Sequence, residues 1–238
     1  MDKKIINILA INDIRYLKIS FNNINSYHKL DKGKQHFKIY LDKEGEKLFI
    51  NKKNKLHYPH LVSYKIFESD EYWQKNKIKI YEDYHLKEDF IIIDADSLWY
   101  HLPTIYEDKI TFLNVSYPLN KHGDFKGLNT LDPHILPTHT NNQIGFLHIP
   151  LSLQYPTLLE EWYTLCNQIH QLKNVRKGVN NQCEQLAISL ITQLKKIPLN
   201  FLKGPNNGPK NTKIIQSLYW SCFKDKFKNE QLKKKGWK

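Results

Sequence analysis

The sequence predicts an α/β fold: a single Rossmann-like domain with a mainly parallel central sheet, helices on both faces and a basic amphipathic helix at its C-terminal end. Three observations lead there. Strand-like and helix-like periodicities alternate through the first hundred residues, as they do where helical crossovers join parallel strands. The run Phe90-Ile-Ile-Ile is continuously apolar and stops abruptly at Asp94-Ala-Asp96, the behaviour of a strand buried on both faces where it leaves the core. Finally, 238 residues of which 40% are hydrophobic and 25% charged suffice for one packed core and are too apolar for a disordered chain.

The elements follow in order. Ile5–Ile11 is a short apolar strand, interrupted only by Asn7, and with no small-residue cleavage site after it it does not read as a secretory leader. Tyr16–Lys29 carries Ile19, Phe21, Ile24 and Tyr27 as the apolar face of a helix. Phe37–Leu41 alternates as a strand, Glu44–Leu56 is a polar helix, and His60–Phe67 is a third strand. Asp70–Tyr84 places Tyr72, Trp73, Ile78 and Tyr81 on a helix, with Ser69 as its N-terminal cap. After Phe90–Ile93 the texture changes. Phe112–Tyr117 and Ile144–Ile149 read as strands, with a Gly/Pro loop over 118–140 between them. Pro156–Leu172 and Cys183–Lys195 read as helices, and 199–213 as a Gly/Pro/Asn loop. Ile214–Lys235 closes the chain as the basic helix. No internal repeat or linker interrupts this order, so one domain over 1–238 is expected.

Charge and cysteine content narrow the function. Lys and Arg outnumber Asp and Glu by 36 to 24, which favours anionic partners. Arginine is confined to Arg15 and Arg176; bidentate base and phosphate readers are therefore scarce, and no nucleic-acid partner is expected. Cys166, Cys183 and Cys222 include no CxxC pair, so neither a disulfide framework nor a zinc-thiolate site follows, and a cytoplasmic, reducing location fits. No apolar run reaches the length of a spanning helix. The 214–238 segment either docks on an anionic membrane surface or packs its apolar stripe on the core.

The chemistry-bearing motif is Asp94-Ala-Asp96. Open α/β sheets bind ligands at the carboxyl ends of their strands, and two acids one residue apart there suit Mn²⁺ or Mg²⁺, hard cations that take one or two carboxylates together with substrate phosphates. The bland alternative is an Asp capping the following turn beside a solvated neighbour. Read singly, Asn142 and Gly145 fit a turn before a core strand, Glu184 and Gln185 a helix first turn, and Lys75 and Lys77 a solvated helix face. The polar group His122, Asp124, Asp132, His134 and His139 matches no metal-ligand spacing. Cys183 lacks a base partner.

The segment Ile91-Ile-Ile-Asp94-Ala-Asp96 resembles the DxD strand of glycosyltransferases with the GT-A fold, most closely the retaining type that includes lipopolysaccharide hexosyltransferases and glycogenin. Further segments fall in the family's order. Ala10, Asn12, Asp13 and Tyr16 resemble its nucleotide-contacting loop. Trp73-Gln-Lys75-Asn-Lys77 resembles the helix whose basic residue approaches the donor phosphates. Asn141-Asn142-Gln-Ile-Gly145 resembles the strand beside the transferred sugar, and Glu184-Gln185 the acid–glutamine pair at the reaction centre. The resemblance implies a nucleotide-sugar half over 1–100, an acceptor half over 101–213, a UDP-sugar donor, a glycan or glycolipid acceptor and retention of configuration. It makes Asp94 and Asp96 the metal ligands, Asp94 sharing the cation or holding the ribose. Many relatives add a histidine ligand near the C-terminus, whereas all eleven histidines here lie at or before His170. The metal is then left to the two acids and phosphate oxygens, to a substitute ligand, or to weak binding. Two other readings compete. A haloacid dehalogenase-type phosphatase also uses DxD, but on its first strand. A lysine-driven nucleic-acid module would need neither acid.

Overall fold

The first apolar run becomes an interior strand. In the computed structural model, which describes residues 4–11, 14–69, 75–122, 125–173, 182–202 and 215–217, Ile6 and Ile8 are buried and even Asn7 is fully enclosed. The chain gathers into two units, each assembled from separated stretches: Met1–Glu68 with Ile93–Pro103 and Pro209–Lys238, and Ser69–Ile92 with Thr104–Gly208.

The first unit contains β1 (Ile5–Ala10), α1 (Ile14–Asp31), β2 (His36–Leu41), α2 (Lys43–Lys52) and β3 (Val62–Ile66). It also holds the end of β4 (Phe90–Asp94), β5 (Ser97–Trp99) and β9 (Ile215–Ser217). Strands run in the order β3-β2-β1-β4. β1, β2 and β3 are parallel, and their last residues Ala10, Leu41 and Ile66 lie in register. Helix α1 buries Ile19, Phe21, Ile24 and Tyr27, the face its spacing predicted, and Leu17 with them. Its exit is built by Asp31, whose carboxylate accepts from the backbone N–H groups of Gly33, Lys34 and Gln35. Gly33 has φ +70°, and a Cβ there would stand 2.5 Å from the Tyr58 ring, so both conformation and space select glycine. His28 is enclosed against Phe37 and Tyr58 and donates from Nε2 to the Gln35 carbonyl. Burial holds its pKa below the usual imidazole value, keeping it neutral. Asp42 caps α2 by accepting from the Gly45 N–H at 2.7 Å.

The second unit holds the start of β4, α3 (Asn76–Tyr81), β6 (Ile110–Pro118), α4 (Phe125–Leu128), β7 (Thr140–Ile149), α5 (Leu158–Gln171), α6 (Cys183–Leu194) and β8 (Leu199–Phe201). Its strand order is β4-β7-β6-β8, with β6 antiparallel to β7 and parallel to β8. Trp162 of α5 is fully buried, its indole donating to the Glu184 carbonyl at 2.7 Å. The Cys166 and Cys183 sulfurs approach to 3.3 Å as free thiols, and that contact together with burial pushes the Cys166 pKa up. Buried His148 meets Asp89 at 3.1 Å, and Asp89 also accepts from the Leu151 N–H. Among the described residues no helix is long and apolar enough to cross a membrane.

Four expectations are corrected. The third helix spans only Asn76–Tyr81 among the described residues. Ser69 does not cap it but accepts from the Asn76 side chain, while Tyr72 and Trp73 lie outside the described residues. β7 begins at Thr140 rather than Ile144, so Asn142 and Gly145 are strand residues, not a turn before the strand. Within the 199–213 loop, Leu199–Phe201 pairs with β6. Within the C-terminal helix, Ile215–Ser217 forms β9, antiparallel to β5. The three-residue strands β8 and β9 are stabilised by a partner far away in sequence, and no local periodicity reports that. The rest of 214–238, with Cys222, lies outside the described residues.

Candidate active site

In the first unit the paired acids close β4. Asp94 is the last strand residue and half-buried, Asp96 follows at 4% exposure, and Ser97 at 1% opens β5. Ala10 ends the neighbouring strand β1 and Tyr16 lies in the first turn of α1. Asn12 and Asp13 fall outside the described residues. The segment is tied to α1 from both sides. Asn23, fully buried, donates from Nδ2 to the Asp94 carbonyl at 3.0 Å and accepts from the Trp99 indole N–H at 2.8 Å. Ser26 Oγ accepts from the Trp99 backbone N–H, and the Trp99 ring meets Tyr27 edge-on at 4.8 Å. Reading the sequence missed Asn23, Ser26 and Trp99. The available signal was a polar residue on the apolar face of α1.

In the second unit a polar network joins β7 to α6. Gln185 donates to the Asn141 side chain at 2.9 Å and accepts from the Ile144 N–H at 3.3 Å. Ser189 Oγ accepts from the Asn142 N–H at 2.9 Å, and the Gln193 amide pairs with both backbone groups of Thr140. Lys77 donates to the Ile144 carbonyl at 3.1 Å. The β6–β7 register breaks between Asn114↔Gln143 and Phe112↔Leu147. Ile144, Gly145 and Phe146 therefore face one residue, Leu113, in a bulge. A bulge forfeits ladder hydrogen bonds, and here Gln185 and Lys77 take up both backbone groups of Ile144. Asn142 is fully buried with Nδ2 lacking an acceptor among the described residues, while its Oδ1 accepts from Thr140. Glu184 is buried beside Gln185 in the first turn of α6.

The structure thus brings Lys77, Asn142, Gly145 and Gln185 together around one bulge, with Glu184 alongside. Asp94 and Asp96 stand with Ala10 in the other unit. Glu161 gathers Tyr155, Thr157 and Lys195 around its carboxylate; burial opposes its ionisation, but these partners hold its pKa below the ordinary value. Of the His122–His139 polar group, Asp132 accepts from the His134 N–H and His139 from the Leu136 N–H. No group of three potential metal ligands forms among the described residues. The donor set Asp94–Asp96 nonetheless suits a hard divalent cation whose other ligands are phosphate oxygens and water.

Gln185→Ala removes an amide whose two ends are both engaged on β7. If this network serves the reaction that the sequence resemblance implies, turnover should fall about tenfold, the scale of losing one buried positioning hydrogen bond, with nucleotide affinity nearly unchanged. Fully active Gln185→Ala would return the pair to a purely architectural role.

The mostly parallel sheet with its helices is a Rossmann-like α/β fold of the GT-A glycosyltransferase type. An active-site mutant of LgtC superposes with a TM-score of 0.55 at 11% identity, over 79% of this chain and 70% of that one. The galactosyltransferase LgtC in complex with donor and acceptor sugar analogs gives 0.50 over the same shares. The apo-form glycosyltransferase GlyE of Streptococcus pneumoniae TIGR4 gives 0.53 at 8% identity, over 86% of this chain and 45% of its own; the chain spans less than half of that protein. No protein-family model matches the sequence, and no curated protein does.

Proposed function

We propose that the protein is a glycosyltransferase that moves a hexose from a nucleotide diphosphate sugar, UDP-linked, to a glycan or glycolipid hydroxyl with retention of configuration. The observation that carries this is the pair Asp94 and Asp96 closing an interior strand in a fold shared with glycosyltransferases. LgtC is a galactosyltransferase that binds donor and acceptor sugar analogs, which supports the same substrate classes here.

In this reading Asp96 and Asp94 hold Mn²⁺ or Mg²⁺, with Asp94 also able to reach the ribose, and Ala10, Asn12, Asp13 and Tyr16 are assigned to nucleotide contact. When bound, the cation neutralises charge on the departing diphosphate. The chain's own residues do the rest. Lys77 and Gln185 fix the Ile144–Phe146 bulge, Gly145 leaves room beside it, and the buried Asn142 amide offers a donor to a sugar hydroxyl. Glu184 and Gln185 are assigned to the acceptor side. Peripheral contact with an anionic membrane through the lysines beyond residue 217 belongs to the same proposal. The phosphatase reading is disfavoured because β4 follows three earlier strands.

The test is a panel of UDP-, GDP- and CMP-sugars with and without Mn²⁺, read by thermal shift and by transfer to sugar acceptors. The expected result is stabilisation by UDP-sugars that requires the cation. Release of phosphate from simple phosphoesters, with no response to any nucleotide sugar, would overturn the reading.

A further inference from the structure

We infer that Asn23 is a positioning residue for the Asp94-Ala95-Asp96 turn, a helix-borne clamp that sets where the two carboxylates stand. The inference rests on the reading that this turn holds a cation and a diphosphate. Asparagine is a poor residue for a helix interior, and Asn23 sits mid-way along α1 with no exposed surface. A polar side chain so enclosed is retained only where both ends are satisfied. Here they are, and the amide orientation is forced: the Asp94 carbonyl only accepts and the Trp99 indole only donates.

The same helix face carries Ser26 and Tyr27, three and four residues on. Ser26 donates its hydroxyl proton to the Asn23 carbonyl and accepts from the Trp99 N–H, and Tyr27 braces the indole. Helix α1 therefore fixes the chain at Asp94 and again at Trp99. Ala95 and Asp96 lie between the two anchors. A site built from two side chains on a turn must be held within about half an ångström of its working geometry, and a long helix is the rigid element that can do so. The short strand β5 alone offers three residues of pairing.

The experiment uses the full chain and two readouts. Deuterium uptake over 94–99 reports the clamp, and Mn²⁺ binding in the presence of UDP, followed by loss of the free-ion paramagnetic signal, reports the site. Asn23→Ala is expected to raise uptake over 94–99 and to weaken Mn²⁺ about tenfold, the scale of losing a partner that orients a metal ligand. Trp99→Phe keeps a ring against Tyr27 and loses only the indole bond, so it should give a smaller change in the same direction. Ser20→Ala removes another buried hydroxyl from α1, bonded to the Leu17 carbonyl; it should lower melting temperature while leaving both readouts unchanged. Unaltered uptake in folded Asn23→Ala and Trp99→Phe, or equal changes in Ser20→Ala, would overturn the clamp. Raised uptake with Mn²⁺ affinity identical in wild type and Asp96→Ala would instead sink the cation reading and leave the clamp standing.

Discussion

Asp96→Ala is expected to abolish cation-dependent UDP binding and to lower transfer on the order of 10²–10³-fold, the scale of losing one preorganised electrostatic group at a reacting centre. Asp96 is 4% exposed and follows a strand whose four preceding apolar residues are all buried. A carboxylate held there is desolvated, and burial of a charge is tolerated only with a compensating partner. In the proposed function a divalent cation would be a further partner for this carboxylate, with diphosphate oxygens among the cation's ligands. Asp96→Asn keeps the shape and removes the charge, so it should lose turnover while remaining folded. Titrating UDP into wild type and Asp96→Ala, each with Mn²⁺ or EDTA, checks it. Equal affinity in all four conditions would rule out metal-assisted diphosphate binding.

Trp162→Ala should be the most destabilising single substitution in the second unit, at about 3–5 kcal/mol. The indole is fully buried, packs on Tyr81 with ring centroids 5.6 Å apart, and donates to the Glu184 carbonyl. Its removal leaves a cavity under the first turn of α6, where Cys183, Glu184 and Leu186 are themselves buried. For a chain of this size the loss corresponds to a fall in melting temperature of roughly 6–20 °C. Trp162→Phe retains most of the volume and forfeits the hydrogen bond, so it should cost about 1 kcal/mol. Thermal unfolding of both variants decides; Trp162→Ala melting within a degree or two of wild type would show that α5 and α6 are held together by something else. Because the Glu184–Gln185 turn rests on this indole, the damage should, in the proposed function, reach acceptor transfer before nucleotide binding.

What was legible in the sequence was whatever is local. The apolar runs at 5–10 and 90–93 are interior strands because apolar sequence of that kind has nowhere to go but a two-faced core, and the alternation of 37–41 gave the strand between helices. The spacing of Ile19, Phe21, Ile24 and Tyr27 gave α1 and its buried face. The abrupt change at Asp94-Ala-Asp96 marked a strand end because charge cannot follow isoleucine into that core. Tertiary structure alone decided the rest. Asn142 and Gly145 read as a turn, yet they lie inside β7, where Gln182 and Gln185 reach the Asn141 side chain, Ser189 the Asn142 N–H and Gln193 the Thr140 backbone from α6 and its N-cap some forty to fifty residues away. The bulge around Gly145 exists only because Lys77 and Gln185 satisfy the backbone it exposes. Asn23 went unread because its partners, Asp94 and Trp99, lie more than seventy residues on and only the fold brings them to its amide. Burial periodicity is written residue by residue, whereas a buried hydrogen bond needs two partners, and the sequence does not say which distant segment supplies the second.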